Sequence, residues 1–115
     1  MHKRLVLLAA PLTVALSLPV RADIPEIVAA RAEGQAIHVT LAHPDTGWDH
    51  YADGWEVVTE DGTALGLRVL AHPHETEQPF TRSLTLDAPL PEGPVYVRAR
   101  CSVDGWGAEL VAVTR

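Results

Sequence analysis

The clearest structural pattern lies in residues 55–71, which read WEVVTEDGTALGLRVLA. Two runs rich in Val, Leu and Thr flank the pair Asp61-Gly62, and such a pair between β-type runs is typical of a tight hairpin turn. Alternation in the second run predicts one strand face that carries Leu65, Leu67 and Val69. The segment therefore predicts two antiparallel strands joined by a hairpin.

Similar apolar–polar alternation recurs on both sides of this hairpin, and residues 23–115 contain no segment with helical periodicity. Short strands separated by turns predict an all-β fold, a seven-stranded antiparallel immunoglobulin-like β-sandwich. The predicted strands are Ile27–Ala32, Ile37–Leu41, Trp55–Glu60, Thr63–Ala71, Phe80–Leu86, Val95–Cys101 and Ala108–Thr114.

The fifth predicted strand carries a charged residue, Arg82, on the same face as Phe80, Leu84 and Leu86. A buried charge without a partner is costly. We therefore expect an acidic partner for this guanidinium, and the candidates are Asp45, Asp49 and Glu77.

Residues 1–22 have the three parts of a secretory signal peptide. Lys3 and Arg4 precede the apolar run Leu5–Val20, and the small residue Ala22 stands at the expected cut site. The alternative is a membrane anchor, for which this run is short. The sequence predicts a periplasmic or secreted domain of residues 23–115 that is free of the membrane after cleavage and has no cysteine at the cut for lipid attachment.

Composition narrows the class of function. The chain has 115 residues, 47% of them hydrophobic, which suits one small globular domain. Its formal net charge is −6, and residues 23–115 hold six Arg, no Lys and all 15 acidic residues. This balance argues against nucleic-acid binding. The single cysteine, Cys101, excludes an intramolecular disulfide.

If each strand reverses the previous one, the loops after the second, fourth and sixth strands share one end of the sandwich. These loops carry His43, His50, His72 and His74, and Cys101 ends the sixth strand. Imidazole and thiolate are ligands for iron, copper and zinc. The sequence thus predicts a metal site at this end, and the alternative is a set of ordinary surface histidines.

Two motifs carry a resemblance to a known family. Residues 43–51, HPDTGWDHY, and residues 99–106, ARCSVDGW, resemble the ligand motifs of superoxide reductases, the desulfoferrodoxin and neelaredoxin group. That family has an immunoglobulin-like sandwich with iron held by four His and an axial Cys at one end. The resemblance implies His43 and His50 as equatorial ligands and Cys101 as the axial thiolate. It also implies one-electron reduction of superoxide, with the electron supplied by a redox partner protein.

The remaining ligands differ from that family. The spacing between His43 and His50 is one residue longer, Asp104 stands at the second motif's histidine, and the family's early Glu-Lys-His segment is absent. Three alternatives follow. His72 and His74 complete an iron site, or Asp104 completes a four-coordinate zinc or copper site, or no metal binds and the loops hold a partner protein.

Two further hypotheses concern binding without catalysis. Residues 43–47, HPDTG, and 77–80, EQPF, resemble segments of the non-catalytic sandwich subunit that supports the carrier protein of periplasmic thiosulfate oxidation. That resemblance implies an exported protein partner. Aromatic residues near the loop end, Trp48, Tyr51, Trp55 and Trp106, also permit glycan or peptide binding, although a Trp on the third strand, Trp55, is typical of the core of such a sandwich. No hydrolytic triad or phosphate-binding glycine loop is visible.

Overall fold

The computed structural model describes residues 23–115, which form eight β-strands and no helix. The predicted signal peptide lies outside the described residues. One sheet has the order β1-β2-β5 and the other the order β4-β3-β6-β7, with β8 also paired to β6. The strands are β1 Glu26–Glu33, β2 Ala36–Ala42, β3 Ala52–Thr59, β4 Ala64–Val69, β5 Phe80–Thr85, β6 Val95–Cys101, β7 Gly105–Trp106 and β8 Val111–Ala112.

The two antiparallel sheets enclose one apolar core, which confirms the predicted all-β sandwich. Alternate residues of β2 and β6 point inward, so that each strand is buried at every second position. Trp55, Val57 and Phe80 fill the centre. Placing β1, β2 and β5 in one sheet and β3 and β6 in the other is typical of immunoglobulin-like sandwiches. Among residues 23–115, no helix is long and apolar enough to cross a membrane.

The last predicted strand, Ala108–Thr114, is wrong in its extent. The chain instead forms β7 and β8, separated by residues 107–110. Beside the break, Ile24 lies so close to Gly107 that a Cβ at this position would overlap the Ile24 side chain. The segment that precedes β1 therefore packs directly against the residues between β7 and β8.

The prediction that Leu65, Leu67 and Val69 share one face of β4 is also wrong in part. Leu67 and Val69 are 51% and 63% exposed, whereas Leu65 packs against the core. A β-bulge accounts for the change, because Val57 pairs with Gly66 and Val58 with Ala64. The extra residue, Leu65, reverses the alternation of the strand.

Other expectations are confirmed. Asp61-Gly62 turns β3 into β4, with Gly62 at a φ of +87° that favours glycine. Arg82 Nη1 donates to Glu77 Oε1 at 3.0 Å, which identifies the acidic partner of this inward-facing guanidinium.

Candidate metal centre

Three predicted ligands meet at one end of the sandwich. The ligand atoms of His43, His50 and Cys101 all lie within 4.8 Å of one another, and this is the one such group among the described residues. His43 directly follows β2, His50 precedes β3, and Cys101 ends β6. Since β2 belongs to one sheet and β3 and β6 to the other, the group connects the two sheets.

A tight loop brings His50 back towards His43. The Thr46 N–H donates to His50 O at 3.0 Å, and the His50 N–H donates to Gly47 O at 3.2 Å. Gly47 has a φ of +129°, a conformation that residues with a Cβ rarely adopt. The His43 and His50 rings meet edge to face, 4.9 Å between centroids.

The His43 ring lies between two oxygen acceptors. Nδ1 donates to Asp45 Oδ1 at 2.5 Å, and Nε2 lies 2.7 Å from the Asp23 carbonyl oxygen. Because a carbonyl oxygen only accepts, Nε2 in this position carries either a proton or a metal ion. The carboxylate–histidine contact at Nδ1 is the arrangement that orients metal-bound histidines.

His50 and Cys101 provide a nitrogen and a sulfur that suit the same ion. His50 Nε2 is buried and finds no hydrogen-bond partner within residues 23–115. Cys101 is free and 0% exposed, and its Sγ accepts a bond from the Val103 N–H at 3.5 Å. The residues present therefore fit a transition-metal ion.

Asp45 organises this end of the molecule, a role that the sequence did not predict beyond placing this residue at the loop end as a candidate partner for Arg82. Its side chain is fully buried. Oδ1 also accepts from the Ala52 N–H at 2.9 Å, and Oδ2 accepts from the His74 N–H at 2.8 Å. One carboxylate thus holds His43, the start of β3 and the loop after β4. The sequence signal for this role was the position of Asp45 two residues after His43, a candidate metal ligand.

The other predicted ligands lie beside the group rather than within it. His74 Nδ1 is 3.8 Å from Asp45 Oδ2, and its ring stacks on Phe80 at 3.8 Å. His72 is exposed, with ring centroids 4.5 Å from His74. Asp104 Oδ2 lies 3.7 Å from His50 Nε2 and 3.8 Å from Cys101 Sγ. The prediction that alternate loops share one end of the sandwich was therefore correct, but the histidines do not form one planar set of four.

His74 makes the stability of the fold depend on pH. Burial, followed by the nearby Arg82 and His72, lowers the pKa of His74 below its ordinary 6.5, against the opposing effect of Asp45 and Glu77. The unfolded chain then binds a proton more readily than the folded one. The stability contributed by neutral, buried His74 is therefore present above pH 6.5. It is lost as the pH falls from 6.5 through the lowered pKa of this histidine.

We expect urea unfolding, followed by tryptophan fluorescence, to show stability falling from pH 7.5 to pH 5. In His74→Phe, which keeps a ring against Phe80, the slope should be smaller. Equal slopes in the two proteins would show that another group is responsible.

Comparisons with known proteins give one relative. A protein of Halomicrobium mukohataei that bears the name "Putative lipoprotein" is 40% identical over 94 residues, which cover 80% of this chain and 46% of that protein. The chain thus spans about half the length of the curated relative it matches. No protein-family model matches the chain, and no solved structure matches it.

Proposed function

We propose that this chain is an exported protein that binds one transition-metal ion through His43, His50 and Cys101. The observation that carries the proposal is the convergence of two imidazoles and a buried thiol within 4.8 Å. Export is supported by the signal-like residues 1–22 and by similarity to a protein named as a lipoprotein.

The donor set favours copper or zinc over the iron of superoxide reductases. Two His and one Cys are typical of copper electron-transfer sites and of tetrahedral zinc sites. The iron centre of the resembled family uses four His, and His72 and His74 do not join the group of three. Superoxide reduction remains the activity that follows if the bound metal is iron.

The chain's own residues would hold and shield such an ion. Asp45 fixes the His43 tautomer so that Nε2 is the coordinating nitrogen. Burial of Cys101 keeps water from the sulfur, and Asp104 Oδ2 offers a proton acceptor at the rim. When bound, copper or iron would supply one-electron chemistry at this site, and zinc would supply a structural link between the sheets.

The proposal is tested by elemental mass spectrometry on the processed protein, purified anaerobically from an exporting host. We expect about one metal ion per chain, and much less in His50→Ala. His38→Ala is the matched control, because His38 lies on β2 and pairs with Glu33 outside the group. A metal-free protein, even after addition of copper, zinc and iron, or equal metal content in both variants, would contradict the proposal.

A second candidate function, docking of a partner protein at the same end, is favoured by exposed apolar side chains. Trp48, Val103 and Trp106 are 67%, 62% and 37% exposed. Trp48 and Val103 lie on the two loops that carry His50 and Asp104, and Trp106 follows the second of these loops in β7. Exposed apolar groups around a site mark protein–protein contacts. This candidate predicts that an exported protein co-purifies with the chain whether or not metal is present.

A further inference from the structure

Both backbone polar atoms of Asp23 make hydrogen bonds at the candidate metal centre, one to a member of the group and one to a residue beside it. The backbone nitrogen donates to Asp104 Oδ2 at 3.1 Å, and that oxygen is the one that contacts His50 and Cys101. The carbonyl oxygen lies 2.7 Å from His43 Nε2. From its position before β1, Asp23 therefore contacts His43 within the group and Asp104 beside the group.

Packing fixes this position. The next residue, Ile24, lies directly over Gly107, where a Cβ would collide with its side chain. The Gly107 N–H in turn donates to Ala99 O at 2.9 Å, next to the end of β6. Pro25 is buried before β1 begins at Glu26. The three residues that follow the predicted cut are thus held against the metal end of the sandwich.

Processing would change the chemistry of this nitrogen. Hydrolysis of the Ala22–Asp23 peptide bond consumes one water and leaves a carboxylate on Ala22 and a primary amine on Asp23. A peptide nitrogen has no free lone pair for a metal, whereas a neutral amine has one. The amine nitrogen and the carbonyl oxygen of one residue can also close a five-membered chelate ring.

We propose that the α-amino group of Asp23, released by removal of the predicted signal peptide, is the fourth ligand of the metal bound by His43, His50 and Cys101. The proposal rests on the proposed function. It makes the centre incomplete in the precursor and complete in the exported chain, so that tight metal binding begins after processing.

The test compares two forms of residues 23–115, which contain both sheets and the whole described core. One form begins with a free Asp23 amine, obtained by cleavage of a fusion directly before that residue. The other has the same amine acetylated. Co²⁺ is the probe, with Zn²⁺ in competition. We expect the acetylated form to bind about 10-fold or more weakly while keeping its thiolate-to-cobalt absorption, because Cys101 is unchanged.

Gly107→Ala gives a second, independent variant. Its Cβ should displace Ile24 and with it Asp23, so the affinity of the free-amine form should fall towards that of the acetylated form. In the acetylated form the same substitution should change affinity little. Tryptophan fluorescence and thermal unfolding of the metal-free proteins show that the sandwich is intact.

The outcomes separate the two proposals. Equal affinity of the free and acetylated forms overturns the ligand role of the amine and leaves the metal site standing. Acetylation that lowers only the melting temperature shows that the amine merely pairs with Asp104, and also overturns it. If neither form binds Co²⁺ or Zn²⁺, the proposed function fails together with this inference.

Discussion

Replacing Cys101 by serine is expected to remove the thiolate-to-metal absorption of the loaded protein and to weaken metal binding by at least about 100-fold. The thiolate is the softest of the three donors and the one that selects a transition metal. Serine is close in size, and its hydroxyl can accept from the Val103 N–H as the sulfur does. Folding should therefore survive the change.

The measurement is a titration of the processed protein with Co²⁺ and then Cu²⁺, followed by absorption. His38→Ala provides the control and should bind like the unchanged protein. Unaltered affinity in Cys101→Ser would show that sulfur is not a ligand. If Cys101→Ser loses its native fluorescence, the titration is repeated with Cys101→Ala, which removes the sulfur from the same buried position without adding a polar group.

Strand alternation predicted most of the fold because the inward faces of β2 and β6 are apolar at every second residue. It failed on β4, where the bulge at Leu65 reverses the face of Leu67 and Val69. A bulge depends on pairing with β3, which alternation within one strand cannot reveal. The contact between Ile24 and Gly107, beside the break in the last strand, likewise joins residues more than 80 positions apart, which alternation cannot reveal.

The candidate site was predictable where topology alone decides position. The rule that alternate loops share one end, here called loop parity, correctly brought His43, His50 and Cys101 to one end. Parity does not give side-chain direction, so it could not show that the His74 ring stacks on Phe80 instead of joining the group. The contacts of Asp23 also escaped prediction, because nothing local in an Asp-Ile-Pro segment indicates which loop it meets.

Replacing Asp45 by alanine should destabilise the metal-free protein by several kcal/mol, because each buried donor left without its acceptor costs about 1–3 kcal/mol. The change leaves the Ala52 and His74 N–H groups and His43 Nδ1 without their acceptor in the interior. For a domain of this size each kcal/mol lowers the melting temperature by about 4–8 °C. Differential scanning calorimetry at pH 7.5 measures the shift.

Asp45→Asn separates the charge from the shape of this group. Its one amide oxygen can still accept from His43 and Ala52, but its NH₂ then faces the His74 N–H, so two donors oppose each other. We expect a smaller stability loss than in Asp45→Ala and, in the folded fraction, metal binding about 10- to 100-fold weaker because His43 loses a charged orienting partner. Unchanged metal affinity in a stably folded Asp45→Asn would show that Asp45 only supports the fold, since the geometry of His43 would then not need its carboxylate.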